Sequence, residues 1–230
     1  MYNVILPTYN EADNIVILIK MLEDVFLRMS TNYKLIVVDD NSTDNTAEIV
    51  RRLKSSKIVL LSRPGKLGLG TAYAAALQEC TFKYTVIMDA DLQHDPEAII
   101  DMSTTIRKGY DVVSGTRYTN GGKVCGWPFK RCLVSSCANN LARYILGLKS
   151  TDLTGSFRIY KTSILRKLIE SVFSQGFGFQ MEALARAEAS RYKIAELPIV
   201  FYDRNTGESK ISIYEIAHFL MIVIRLYVRI

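Results

Sequence analysis

Histidine occurs only twice in the 230-residue chain, tryptophan once and proline five times, and the four cysteines form no CxxC pair. Each scarcity excludes something. Cys80, Cys125, Cys132 and Cys137 have no histidine at zinc-finger spacing, so neither a structural zinc site nor a disulfide scaffold is expected. Cys80 lies in a helix-like run and reads as core. His218 falls in an apolar stretch and His94 beside an acidic motif, so neither suits a general-base role, though His94 could tune its neighbours. No Pro/Gly/Ser-rich linker, low-complexity tract or internal repeat breaks the chain, which argues for one domain. No nucleic-acid motif and no basic stripe interleaved with aromatics is present, so no nucleic-acid partner is expected. The longest apolar run, Ile216–Ile224, is roughly half of the ~20 residues a spanning helix needs, and His218, Arg225 and Arg229 lie in or beside it. Met1 leads at once into the strand-like Tyr2–Leu6, with no basic start or small-residue cleavage site, so no signal peptide is expected.

What is present is an ordinary globular balance, 49% hydrophobic and 23% charged, with a net charge of +6 and a pI near 9.1 that favour an anionic partner. Short apolar runs at Val4–Leu6, Lys34–Val38, Ile58–Leu61 and Thr85–Met88 read as buried strands. Helical spacing separates them: Asn14–Arg28, with Ile15, Leu18, Ile19, Leu22, Val25 and Phe26 on one face, then Asn45–Leu53 behind the turn Asn41–Asp44, then Gly70–Cys80. Such alternation predicts an α/β layer with a mostly parallel sheet flanked by helices. The second half is less regular, with expected strands at Asp111–Ser114, Phe157–Tyr160, Ile194–Glu196 and Ile199–Tyr202, and helices at Lys130–Leu146 and Gln180–Arg191.

Ligands of open parallel sheets sit beyond the carboxyl ends of the strands, and acidic residues collect there: Asp39 and Asp40, then Asp89 and Asp91. Buried carboxylates are costly unless they meet cations or strong donors. If Asp89–Gln93 stays extended, alternate side chains point one way, and two carboxylates with an amide oxygen offer a hard-oxygen site for Mg²⁺ or Mn²⁺. A solvated turn is the alternative. The loop Arg63–Thr71 fails the spacing of a P-loop and of GxGxxG. Lys66 and the helix start behind it could still face phosphate, or the loop is simply a tight turn. Arg204–Lys210 places two cations on a glycine-containing loop, as a diphosphate clamp or an exposed basic loop.

In order along the chain stand Pro7-Thr8-Tyr9-Asn10-Glu11, Val38-Asp39-Asp40, Lys66-Leu67-Gly68-Leu69-Gly70, Met88–Leu92, Val113–Tyr118, Asp152–Tyr160 and Arg204–Lys210. Together they cover nearly the whole chain and make it resemble the inverting family-2 glycosyltransferases of GT-A fold, within them the dolichol-phosphate mannosyltransferases of the short type without a membrane anchor. The resemblance implies a Rossmann-like GT-A domain over residues 1–210 and an amphipathic C-terminal helix over 211–230. It implies mannose transfer from GDP-mannose to dolichyl phosphate with inversion. The product would be a β-linked mannosyl phosphate that serves as the lumenal mannose donor for N-glycan, GPI-anchor and O-mannose assembly. Pro7, Tyr9, Glu11, Val38 and Asp40 match positions around the guanosine, and Lys66, Asp89 and Ala90 other donor contacts. Asp91 and Gln93 match the metal ligands, with Asp89, Asp91 and Arg117 at the reaction centre. Arg117, Arg204 and Lys210 match donor- or acceptor-phosphate contacts, and Arg131 and Ser135 the lipid phosphate. Where relatives often carry Ser-Arg-Gly-Ala-Asn, this chain reads Ser135-Ser136-Cys137-Ala138-Asn139.

A phosphate monoester with a second pKa of about 6 is largely ionised at neutral pH, so no strong general base is needed, and positioning with charge stabilisation carries the reaction. Ile211–Ile230 would lie in the headgroup region with Lys210, Arg225 and Arg229 toward anionic lipid, or pack on the core. Relatives of this type work with small membrane-spanning accessory subunits on the cytoplasmic face of the endoplasmic reticulum. Rival readings are glucose transfer to dolichyl phosphate, a bacterial-type polyprenyl-phosphate sugar transferase, or a nucleotide-binding module without catalysis. A dinucleotide oxidoreductase is disfavoured, because the first strand runs into Pro7-Thr8-Tyr9 where that fold needs glycines.

Overall fold

Unbroken Val/Ile/Leu runs persist as strands only when both faces are covered, and the chain meets that demand with helices on either side of one sheet. The computed structural model describes residues 1–176, 178–203 and 213–229, the stretch 213–218 through its backbone alone. In chain order the elements are β1 (Tyr2–Thr8), α1 (Ala12–Arg28), β2 (Tyr33–Asp39), α2 (Thr46–Arg52), β3 (Ile58–Ser62), α3 (Leu69–Leu77), β4 (Tyr84–Ile87), α4 (Ala98–Arg107), β5 (Val112–Thr116), β6 (Lys123–Cys125), α5 (Phe129–Leu146), β7 (Arg158–Lys161), α6 (Thr162–Ser171), α7 (Gly178–Ala189), β8 (Ile194–Pro198), β9 (Val200–Tyr202) and α8 (Ile213–Arg229).

The main sheet runs β3-β2-β1-β4-β7-β5-β8. The β1, β2, β3 and β4 pairings are parallel, as is β5 with β8, so the sheet is mostly parallel as expected. The exception is β7, which runs antiparallel between β4 and β5. Alternation sorts each strand between two cores. Val4 and Leu6 face the first core with Leu35 and Val37, under α1 and α4, while Ile5, Ile36 and Val38 face the second, under α3, α6 and α7. All six apolar residues of the α1 stripe are buried, each stabilising the fold by roughly 1.5–3 kcal/mol.

The helices α4 and α6 were not anticipated. Ile99, Met102 and Ile106, then Ile164, Leu165 and Leu168, are their buried residues, short stripes that β-like flanks obscure. Also new is the parallel pair β6–β9 outside the main sheet. Between Pro198 and Val200 the chain leaves one sheet for the other, with Ile199 packed in the first core.

A third core joins α5, α7 and α8 through Ala142, Leu184, Ile222, Val223 and Leu226. The helix α8 thus packs by one face, while Leu220, Met221, Ile224, Tyr227 and Val228 stay exposed on the other. Arg225 and Arg229, both exposed, lie over the Phe173 ring at 4.0 and 5.1 Å. Lys210 and Arg204 are outside the described residues. Among the described residues no helix is long and apolar enough to cross a membrane.

Candidate active site at the carboxyl ends of β1, β2 and β4

Parallel pairing brings the carboxyl ends of β1 and β2 level, with Thr8 opposite Asp39. The loops that follow need left-handed turns, and asparagine supplies them: Asn10, Asn41 and Asn45 have φ of 58°, 60° and 70°. The Asn10 side-chain Oδ1 accepts the Thr43 N–H at 2.9 Å, and the Asp44 carboxylate accepts the Ala12 N–H at 2.9 Å and the Thr46 N–H at 3.0 Å. One loop therefore caps the starts of both α1 and α2.

The costly carboxylates behave as their burial demands. Asp39, fully buried, accepts hydrogen bonds from Thr8 Oγ1, Ser42 N–H and Ser42 Oγ. Asp40 receives Nε and Nη2 of Arg63, both at 2.6 Å. Lys66 stands over the Tyr9 ring at 3.5 Å, and Glu11 ends the loop before α1, accepting Asn14 Nδ2 at 2.7 Å. Tyr9, Glu11, Asp40 and Lys66 thus gather on one side of the strand ends. Two matched residues reach the site only through their backbone. Val38 is buried against α3 in the second core and Ala90 in the first, so neither presents its side chain. Pro7 is half-buried within β1.

The helix start behind Lys66 does not face phosphate at Gly70, because that N–H donates to the Gln175 carbonyl at 2.8 Å. The expectation of an open helix N-terminus is corrected there: an amide already bonded to the chain has no donor left for a ligand.

The acidic motif is bent, not extended. Residues 90–92 form a bend and Leu92 takes φ 61°, a conformation that costs a non-glycine residue roughly 1–2 kcal/mol. Simple alternation therefore does not align Asp89, Asp91 and Gln93. The bend instead brings Asp91 and Gln93 together. Asp91 Oδ1 accepts the Gln93 N–H at 3.2 Å, which folds Asp91 back over Gln93. Gln93 Nε2 donates to the Tyr202 carbonyl at 3.0 Å, which makes Oε1 the amide's ligating atom. A carboxylate and an amide oxygen are hard donors that suit Mg²⁺ or Mn²⁺. Among the described residues no group of three or more His, Cys, Asp or Glu could hold a metal ion. The donor chemistry of Asp91 and Gln93 still fits such an ion.

Across the bend lies a second cluster, set by the loop 152–156. Asp152, fully buried, takes Nε and Nη2 of Arg117 at 2.7 Å each, the Arg117 N–H at 3.1 Å and the Gly155 N–H at 2.9 Å. Burial opposes ionisation of this carboxyl, but the Arg117 hydrogen bonds and charge outweigh it and hold its pKa below the usual range. Arg117 is likewise pulled down by burial and pushed further up by Asp152, with Asp89 adding to the effect. Both groups stay ionised. Ser156 Oγ donates to Asp89 at 2.6 Å. Trp127 gathers the two arginines: its ring lies 5.7 Å from the Arg117 guanidinium and 3.8 Å from that of Arg131. Arg131 pairs with Asp203 at 3.1 Å, and Ser135, one helical turn along α5, shares a 2.7 Å hydrogen bond with Tyr118. Asn139 Oδ1, a turn further, accepts the Leu153 N–H and ties α5 to the loop.

His94 is neutral. Burial pushes its pKa down to about 4, between the rings of Phe157 at 5.2 Å and Phe201 at 5.1 Å. It packs the motif against β9 and is not placed as a base.

Arg63, Trp127, Asp152 and Ser156 were not singled out from the sequence. Arg63, Asp152 and Ser156 stand inside quoted motifs, and Trp127 is the chain's sole tryptophan, between Gly126 and Pro128. These were signals of place, not of role.

Comparison with known proteins agrees with this geometry. The family described as Glycosyl transferase family 2 matches residues 3–169. Polyprenol monophosphomannose synthase of Mycolicibacterium smegmatis is 33% identical over 216 residues, covering 91% of this chain and 80% of that protein. Dolichol-phosphate mannosyltransferase of Pyrococcus furiosus is 36% identical over 236 residues, covering 97% of this chain and 63% of that protein. Among solved structures, glucosyl-3-phosphoglycerate synthase of Mycobacterium tuberculosis, in complex with Mn²⁺, UDP and glucosyl-3-phosphoglycerate, superposes with a TM-score of 0.68 at 20% identity. That match covers 98% of this chain and 78% of that one, and it shows the shared GT-A-like fold. The α/β domain, its site at the strand ends and these matches make the chain a member of glycosyl transferase family 2.

Proposed function

We propose that the chain transfers mannose from GDP-mannose to a polyprenyl phosphate, dolichyl phosphate in particular, with inversion, at a membrane surface. The observation that carries the reading is the pair of subsites flanking the bend at Asp89–Gln93. Tyr9, Glu11, Asp40 with Arg63, and Lys66 form one side, suited to a nucleoside diphosphate. Arg117 and Arg131 at Trp127, with Ser135, form a cationic side suited to a phosphate acceptor. The relatives, a polyprenol monophosphomannose synthase and a dolichol-phosphate mannosyltransferase, support the same substrate class.

Asp91 and Gln93 would hold the divalent ion, which neutralises charge growing on the departing diphosphate. The chain's own groups do the rest. Arg117, locked by Asp152 and within electrostatic reach of Asp89, would meet the arriving lipid phosphate. Because that phosphate is already ionised, the site needs no general base, in keeping with a buried neutral His94. Holding nucleophile and anomeric carbon in line is then the principal catalytic contribution.

Membrane contact is supported by the exposed apolar face of α8. On the resemblance alone, the reading extends to the cytoplasmic face of the endoplasmic reticulum, to membrane-spanning accessory subunits, and to supply of mannose for N-glycan, GPI-anchor and O-mannose assembly. The test is transfer of radiolabelled mannose from GDP-mannose to dolichyl phosphate in detergent, with Mg²⁺ or Mn²⁺ and then EDTA, against UDP-glucose as competing donor. A lipid-extractable product lost on chelation supports the reading. Preference for UDP-glucose would replace mannose by glucose.

A further inference from the structure

The loop between β3 and α3 lies against a neighbouring segment of backbone. Gly68 has φ 93°, and a side chain there would run into the Gln175 carbonyl. A side chain at Gly70 would meet the Ser174 carbonyl at 2.8 Å, and the Gly70 N–H donates to the Gln175 carbonyl. These two glycines let the backbone of residues 173–176, between α6 and α7, lie directly on the loop. That segment is fixed in turn by Glu182, fully buried on α7, whose carboxylate accepts the Phe173 N–H at 3.1 Å and the Ser174 N–H at 2.9 Å. Arg186 pairs with the same carboxylate at 2.7 Å.

On its other side the loop grips the donor subsite. Arg63 Nη2 donates to the Gly68 carbonyl at 3.3 Å and Nη1 to Thr71 Oγ1 at 2.7 Å, while the same guanidinium holds Asp40. Lys66, on the loop itself, covers Tyr9. Direct contacts therefore run without a gap from Glu182 through Ser174 and Gln175 to Gly68, Gly70, Arg63 and Asp40.

We propose that residues 173–176 form a positioning strap for the donor subsite, set by Glu182, and that they control nucleotide affinity without touching the nucleotide. This rests on the reading of Tyr9, Asp40 and Lys66 as the nucleoside-diphosphate side. A chain of contacts becomes coupling only when measured, and Glu182→Gln is suited to the measurement. It keeps size and shape but turns one acceptor oxygen into a donor that confronts an N–H.

The experiment titrates GDP with Mg²⁺ into the wild type, Glu182→Gln and Gln175→Ala, and follows hydrogen exchange at the Gly70 amide. In Glu182→Gln the Kd for GDP should rise about tenfold, the Gly70 amide should exchange faster, and KM for the donor should rise with kcat held. Gln175→Ala, which removes an exposed side chain and keeps the bonded carbonyl, should change neither. Faster exchange with an unchanged Kd, or no change in either, overturns the strap. If Glu182→Gln fails to fold, Gly70→Ala pushes the strap off while leaving the Glu182 clamp intact, and the same loss is expected. Wild type that binds neither GDP nor UDP defeats the donor-side reading, and the strap falls with it. Binding of UDP alone revises the base, and the strap is then read with UDP.

Discussion

The two ends of the main sheet are held together by different means. From β1 to β4 the strands are almost wholly apolar, and their side chains alternate between two cores. From β5 onward the fold depends on buried polar groups. Arg158, with no exposed surface, donates to the Gln180 carbonyl at 2.6 Å, the Leu153 carbonyl at 3.1 Å and Ser114 Oγ at 3.2 Å. Asp152 and Glu182 are equally buried, and each closes an irregular loop with its carboxylate. Regular strands place the donor side through burial, with Asp39, Asp40 and Asp44 fixing the loops at their ends. Irregular loops have backbone groups that no ladder satisfies, so charged side chains must satisfy them: the acceptor side takes its shape from the Asp152 contacts, and the strap behind the donor side from those of Glu182.

The difference predicts where a carboxylate can be lost. Asp152→Ala should be the most damaging, since it leaves the Arg117 guanidinium buried and unpaired together with two loop N–H groups. Removing one partner of such a pair costs about 3–5 kcal/mol, which is roughly 10 °C in Tm for a chain of this size. Thermal unfolding checks it, and a loss below about 1 kcal/mol would mean that the polar half is not held as described. Asp91→Ala sits on the other side of the comparison. Transfer should fall by about 10²–10³-fold, while Tm stays within about 2 °C. Wild-type activity in this variant would remove the metal assignment.

A third prediction concerns pH. His94 has a folded pKa of about 4 against an ordinary 6.5. Below pH 6.5 the unfolded chain takes up a proton that the folded one refuses, so stability is full above that pH. It declines as pH falls toward 4 and levels off beneath it. The swing is roughly 3 kcal/mol at 1.36 per unit. His94→Phe, between Phe157 and Phe201, should flatten urea-unfolding stability across that window. An unchanged slope would mean that His94 does not set the pH dependence in this window.

Legibility in the sequence follows the same division. The stripe of α1 and the runs of β1 to β4 are periodic signals, and periodicity reports burial. The carboxylates at the strand ends were legible because a charge closing a buried strand demands an explanation. The bend at Leu92 was not, because a left-handed leucine has no sequence signature. The antiparallel direction of β7 was not legible either, because four residues carry no signal of strand direction. Trp127 joins Arg117 to Arg131 across a distance that no local pattern encodes. The Glu182 clamp on residues 173 and 174 was hidden inside a helix rich in Ala and Glu for the same reason.

The smallest effect, and the one that isolates the outer surface from both halves, is expected on α8. Deleting this helix would confound two roles, because Ile222, Val223 and Leu226 are part of the third core. Substituting the outward stripe avoids that. Met221 and Ile224 are 61% and 63% exposed, three residues apart on one face, so Met221→Glu and Ile224→Glu leave the inner packing untouched. If α8 rests on lipid, each apolar side chain lost from the headgroup region should weaken binding to dolichyl-phosphate-containing vesicles by about tenfold. GDP affinity and Tm should not move. Vesicle binding that survives both substitutions would assign membrane contact elsewhere. A fall in GDP affinity would show that the outer face of α8 reaches the donor side through Phe173, which lies beneath Arg225 and begins the strap.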